Sequence, residues 1–118
     1  MTATTGLNEL AAKIHEWAVE KGWWDGIVES PTVINSKLML CVGELAEAME
    51  EIRHNHSPRE IYYKGKVPKP EGFPIELADT LIRILDLAEF VGVDLDYAVK
   101  LKRAYNGTRS WKHGGKAL

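Results

Sequence analysis

Cysteine occurs once in the 118 residues, and no apolar run reaches the roughly 18 uninterrupted positions that a membrane-spanning helix needs. The lone Cys41 excludes an internal disulfide framework, so a reducing cytoplasm is expected. Basic excess is missing too. With 15 Lys and Arg against 17 Asp and Glu, the net charge of -2 argues against a protein that coats nucleic acid. The opening MTATTGLNEL has neither the basic nor the apolar region of a secretory leader, which predicts a protein that is not exported. Proline is scarce outside one stretch: three of the five, Pro58, Pro68 and Pro70, crowd between Asn55 and Gly72. Acidic residues are absent from Tyr97 to Leu118, where Lys100, Lys102, Arg103, Arg109, Lys112 and Lys116 stand. What remains, 45% hydrophobic and 27% charged, is the composition of one soluble domain.

Helical periodicity fills the proline-poor regions. A first helix is predicted from Leu7 to about Gly22, with Leu10, Ile14, Trp17 and Ala18 inward, followed by a loop at Trp23, Trp24 and Asp25-Gly26. A second runs from Pro31 to about His54, with Ser30 as its cap. Ile34, Leu38, Cys41, Leu45, Ala48 and Ile52 give it an apolar seam beside a mostly charged ridge of Lys37, Leu40, Glu44, Glu47 and Glu51. Residues 55–72 hold too many breakers for regular structure beyond a short turn or strand at Arg59–Tyr63, and read as a lid or interaction loop. A third helix spans Pro74 to the Gly92 stop, and Asp94 caps a fourth from Leu95 to about Asn106. Gly107–Leu118 is a basic tail. The expected fold is all-α: four helices in one domain over residues 1–118, completed by pairing with further copies.

Two acidic pairs stand out. Glu44-Leu45-Ala46-Glu47 on the second helix and Glu76-Leu77-Ala78-Asp79 on the third each place two carboxylates on one helical face. The third helix is otherwise apolar almost all round, so its acidic stripe of Glu76, Asp79 and Asp86, interrupted by Arg83, is expensive unless it binds metal or pairs internally. At an effective dielectric near 20, two carboxylates roughly 5 Å apart repel by about 3 kcal/mol, so four that converge call for a cation. Hard oxygen donors favour Mg²⁺, with Mn²⁺ as a substitute.

The ordered set resembles a known family. An ExxE pair in a Gly-Glu-Leu-Ala-Glu context, a later ExxD pair, and the segment Lys102-Arg103-Ala104-Tyr105-Asn106-Gly107-Thr108-Arg109 are similar to the MazG-like all-α nucleoside triphosphate pyrophosphohydrolases. The resemblance runs from about Trp17 to Lys116. It implies hydrolysis of a (d)NTP between the α and β phosphates, giving a monophosphate and pyrophosphate, in a homodimer or homotetramer; relatives acting on dUTP or phosphoribosyl-ATP share the metal chemistry. It further implies Glu44, Glu47, Glu76 and Asp79 as metal ligands and Glu47 as the base. Lys102 and Arg109 would hold the phosphate chain, with Asn106 at the base or sugar and Lys116 closing over the phosphates. Trp24 or Trp23, and Tyr105, would offer stacking surface for the base.

Several residues also have plainer readings. Trp17 falls on the core stripe, one of Trp23 and Trp24 points inward, and Arg83 reads as the counter-ion of Asp79 or Asp86. Asp86 reads alternatively as a further ligand, and His54 and His56 read as surface histidines. Glu51-Ile52-Arg53-His54 has the E-x-x-H spacing of di-iron bundles, although only one copy is present. A helical interaction module with a basic tail is the non-enzymatic alternative.

Overall fold

The computed structural model describes residues 6–109. Four helices and one hairpin follow in the order α1 (Leu7–Glu20), α2 (Pro31–Arg53), β1 (Tyr62–Lys64), β2 (Lys69–Glu71), α3 (Phe73–Val91) and α4 (Leu95–Gly107). The caps explain the boundaries. Ser30 Oγ accepts the Val33 N–H at 3.1 Å, and Pro31 occupies the first turn of α2, where its missing N–H costs nothing. Gly92 ends α3 in the left-handed conformation, so that its own N–H and that of Val93 return to the Glu89 and Ala88 carbonyls.

Helix α3 lies between α1 and α2 and forms the centre of the molecule. The buried side chains include Ala11 and Ala18 of α1, Cys41 and Ala48 of α2, and Leu85, Leu87 and Ala88 of α3. Small residues dominate the contacts, letting the helices approach closely. Of the predicted inward face of the first helix, Ile14 and Ala18 are covered, and Leu10 and Trp17 are not. Ala11 and Ala18, with Ile14 and His15 half-covered between them, form the inward stripe, whereas Leu10 and Trp17 are exposed.

The second helix is likewise rotated. Ile34, Lys37, Cys41, Glu44, Ala48 and Glu51 are its covered positions, while Leu38, Leu45 and Ile52 of the predicted seam face outward. The charged ridge is therefore drawn toward α3, where its carboxylates meet those of that helix.

Residues 55–72, expected to hold no regular structure beyond a short turn or strand at Arg59–Tyr63, contain an antiparallel hairpin whose β1 overlaps that stretch, with Tyr62 opposite Glu71, Tyr63 opposite Pro70 and Lys64 opposite Lys69. Pro70 is tolerated because a two-stranded ribbon is all edge and need not use its N–H side. Gly72, at φ 125°, packs directly against the Glu60 carbonyl, a place with no room for a side chain. Tyr62 Oη donates to both Glu51 oxygens at 2.8 and 2.9 Å, pinning the hairpin to α2 just ahead of α3.

Helix α4 packs on α1 and buries none of its residues. Its attachment is polar: the Leu7 and Asn8 N–H groups donate to the Asp96 carboxylate, and the Leu95 and Asp96 N–H groups donate to Asn8 Oδ1. Each helix thus caps the other.

Candidate metal centre

Glu44 comes from the middle of α2, and Glu76 and Asp79 from the first two turns of α3. One carboxylate oxygen from each lies within 4.8 Å of the others, and each residue is half-buried. An octahedral Mg²⁺ with bonds of about 2.1 Å separates its ligands by about 3–4 Å, so a small movement closes the set. The charges are already strained. Burial, reinforced by Glu44, Asp79 and Glu47, pushes the Glu76 carboxyl up to about 7. Burial and Glu44 also raise Asp79, opposed by Arg83 and Lys69. Such a group gains from a divalent cation, which favours the ionised form of every member.

Glu47, the fourth predicted ligand, lies outside this triad. It lines an adjoining cavity of about 360 Å³ with Glu50, Glu51, His54, His56 and Tyr62. Its charge still reaches Glu76. In the same region Glu51 is engaged by Tyr62 and His54 Nδ1 by the Glu50 carbonyl, so the E-x-x-H pair has other partners. His56 stacks on Tyr62 and sits 3.1 Å from Glu60.

On its other side the triad opens into a cavity of about 460 Å³, whose walls include Glu44, Asp79, Lys37, Arg83, Asp86 and the indoles of Trp17, Trp23 and Trp24. Trp24 is the inward member of its pair. It is buried, stacked on Phe90 at 4.2 Å, and has Lys37 Nζ 4.4 Å from its ring centroid. Both faces of its ring are thereby engaged. Trp23 is 57% exposed and meets Trp17 edge-on at 4.7 Å, so these two present open aromatic surface. Trp17 is part of the cavity and not of the core.

Arg83 pairs with Glu44, Nε to Oε1 at 3.3 Å, and not with Asp79 or Asp86. Asp86 instead accepts from Trp24 and meets His15 Nδ1 at 2.7 Å, far from the ligand role considered for it. Lys37 and Arg83 are the cations the cavity owns. Sequence reasoning passed over Lys37, although it stands two helical turns before Glu44 on the same ridge.

The predicted phosphate and base residues of the fourth helix are elsewhere. Lys102 Nζ and the Arg109 guanidinium lie 4.9 and 5.9 Å from the Tyr105 ring, and Lys102, Tyr105, Asn106 and Arg109 line neither cavity. Arg109 lies beyond the helix end at Gly107. Lys116 is outside the described residues.

Comparison with known proteins gives a short match. A dATP/dGTP diphosphohydrolase of Cyanophage S-2L is 53% identical over 38 residues, which are 32% of this chain and 36% of that protein. The match thus spans about a third of the relative's length. No family model matches, and no solved structure matches. Among the described residues no helix is long and apolar enough to cross a membrane.

Proposed function

We propose that the chain hydrolyses a nucleoside triphosphate, a dNTP, between its α and β phosphates with Mg²⁺ bound, releasing the monophosphate and pyrophosphate. The observation that carries the reading is the meeting of the Glu44, Glu76 and Asp79 oxygens, with Glu44 and Asp79 on the wall of a cavity lined by indoles and by Lys37 and Arg83. Carboxylates, cations and aromatic walls are the three chemistries that a metal-bound polyphosphate with a base requires. The S-2L relative's name makes dATP and dGTP the first substrates to try.

The donor set suits Mg²⁺, held by Glu44, Glu76 and Asp79 with Glu47 adjoining; when bound, the ion would neutralise phosphate charge and acidify water. The chain's own residues do the rest. Lys37 and Arg83 offset negative charge along the phosphate chain, and Glu47 accepts a proton from the attacking water at a carboxylate oxygen. Trp23 and Trp17 pack against the base.

The reading includes an oligomer, a homodimer or homotetramer in the cytoplasm. Leu38, Val42, Leu45, Met49 and Ile52 follow at steps of 4, 3, 4 and 3 along α2 and are all exposed, the stripe expected of a helix that packs on another copy. Leu77, Leu81 and Ile84 continue it on α3. A second copy also provides a route by which Lys102, Tyr105, Asn106, Arg109 and Lys116 approach the carboxylates. A panel of dNTPs and NTPs with Mg²⁺, resolving monophosphate plus pyrophosphate from diphosphate plus phosphate, tests the reading; no turnover, or release of inorganic phosphate alone, would count against it.

A further inference from the structure

Asp86 lies on the wall of the 460 Å³ cavity, two helical turns beyond Asp79 on α3, or about 10 Å along the axis at 1.5 Å per residue. That separation suits the distance between a nucleotide's α phosphate and the edge of its base. Two groups hold the carboxylate in place. His15 Nδ1 of α1 is 2.7 Å from Oδ1, and the Trp24 indole N–H is shared between Oδ1 and Oδ2, 3.1 Å from each.

A carboxylate offers about four acceptor sites. Among the described residues Oδ1 meets both His15 and the Trp24 indole, whereas Oδ2 has the shared Trp24 proton alone, so Oδ2 keeps acceptor capacity on a side chain that forms part of the cavity wall. His15 and Trp24 also pack edge to face at 5.2 Å, so the carboxylate cannot readily turn away. A fixed, acceptor-only oxygen accepts an N–H and repels a carbonyl oxygen.

We propose that Asp86 is a specificity-determining residue, which accepts a hydrogen bond from an exocyclic amino group of the base and disfavours bases with a carbonyl or hydrogen at that place. The inference rests on the pyrophosphohydrolase reading. Neither Lys37, which lies over the Trp24 ring, nor Arg83, which pairs with Glu44, forms an ion pair with Asp86 in the structure.

The test compares initial rates with Mg²⁺ on nucleotide pairs that differ in an exocyclic amino group: dGTP against dITP, where it is lost to hydrogen, and dATP against dITP and dCTP against dUTP, where it becomes a carbonyl and the neighbouring ring nitrogen gains a proton. The expected result is about 10- to 100-fold higher kcat/KM for the amino member of at least one pair, the range of a hydrogen bond to a charged group. In Asp86→Asn, whose amide can donate to a carbonyl, that ratio should collapse or invert. Equal rates across all pairs in the wild-type protein would overturn the inference while leaving the hydrolytic reading standing. A variant that slows every substrate by one common factor would also overturn it, assigning Asp86 to the support of Trp24. Turnover of none of the nucleotides overturns the hydrolytic reading and the inference with it. Should Asp86→Asn fail to fold, equal wild-type rates across the pairs still overturn the proposal.

Discussion

Arg83 Nε stands 3.3 Å from Glu44 Oε1, joining α3 to α2 beside the carboxylate triad. The pair is partly solvated and weak as a stabilising contact. Its consequence lies in the site, because the guanidinium also opposes the burial and Glu44 charge that push the Asp79 carboxyl up. Arg83→Met keeps the stem and removes the charge. At pH 8 the variant should bind Mn²⁺ several-fold more tightly by calorimetry, for want of a competing cation. Its kcat/KM for a dNTP should fall about 10-fold or more, through loss of a phosphate partner. Weaker Mn²⁺ binding would contradict the assignment.

Glu76 links metal and acidity. Its folded-state value of about 7 exceeds the ordinary 4.5, so between these the metal-free fold keeps a proton that the unfolded chain has lost. Its contribution to stability is fully present below pH 4.5 and disappears as pH rises through about 7. Asp94, held low by the Asn8 side chain, acts in the opposite sense, losing its contribution as pH falls below 3.8. The melting temperature without metal should therefore decline from pH 5 to pH 8, and Mg²⁺ should restore it most at the upper end. Glu76→Gln should flatten that decline and abolish the magnesium effect; differential scanning fluorimetry with and without chelator measures both.

Asp79→Asn and Glu47→Gln should each abolish turnover with helix content unchanged by circular dichroism, because an amide can be neither an anionic ligand nor a base. Asp79→Asn should in addition lose Mn²⁺ binding. Near-wild-type rates in both variants would refute the site.

The outward stripe on α2 gives a prediction about assembly. Met49, 65% exposed, becomes buried if a second copy packs there. Met49→Lys should shift sedimentation toward the monomer at micromolar concentration, and a wild-type protein that already sediments as a monomer would exclude this interface.

Asp96→Ala removes the acceptor for two N–H groups at the start of α1. The expected loss is about 1 kcal/mol, or about 4 °C or more in melting temperature. Asn8→Ala should cost a similar amount, and the double variant less than the sum, since both act on one junction.

Much of this architecture could be read from residue order. Ser30-Pro31, Gly92 and Asp94 mark helix ends because capping is a local property, satisfied within four residues. The facing of each helix was less legible. On α1 the alanine stripe was preferred to Leu10 and Trp17, and on α2 the charged ridge turned partly inward. Periodicity shows that faces exist; the close packing of three helices decides which is used. The hairpin was hidden for a related reason, since its prolines and glycines oppose a buried strand yet suit an isolated ribbon tied to α2 through Tyr62.

The sequence by itself determined the helices, the local caps at Ser30, Gly92 and Asp94 and the two acidic pairs, because capping within a turn and i to i+3 geometry act without reference to the remainder of the chain. Only the tertiary structure decided that Glu44 joins Glu76 and Asp79 while Glu47 lines the next cavity. It alone set Lys37, Arg83 and Asp86 around the indoles and placed the α4 cations elsewhere. The rotation of one helix against another is fixed by side-chain volume across the interface, and no local pattern along the chain carries that information.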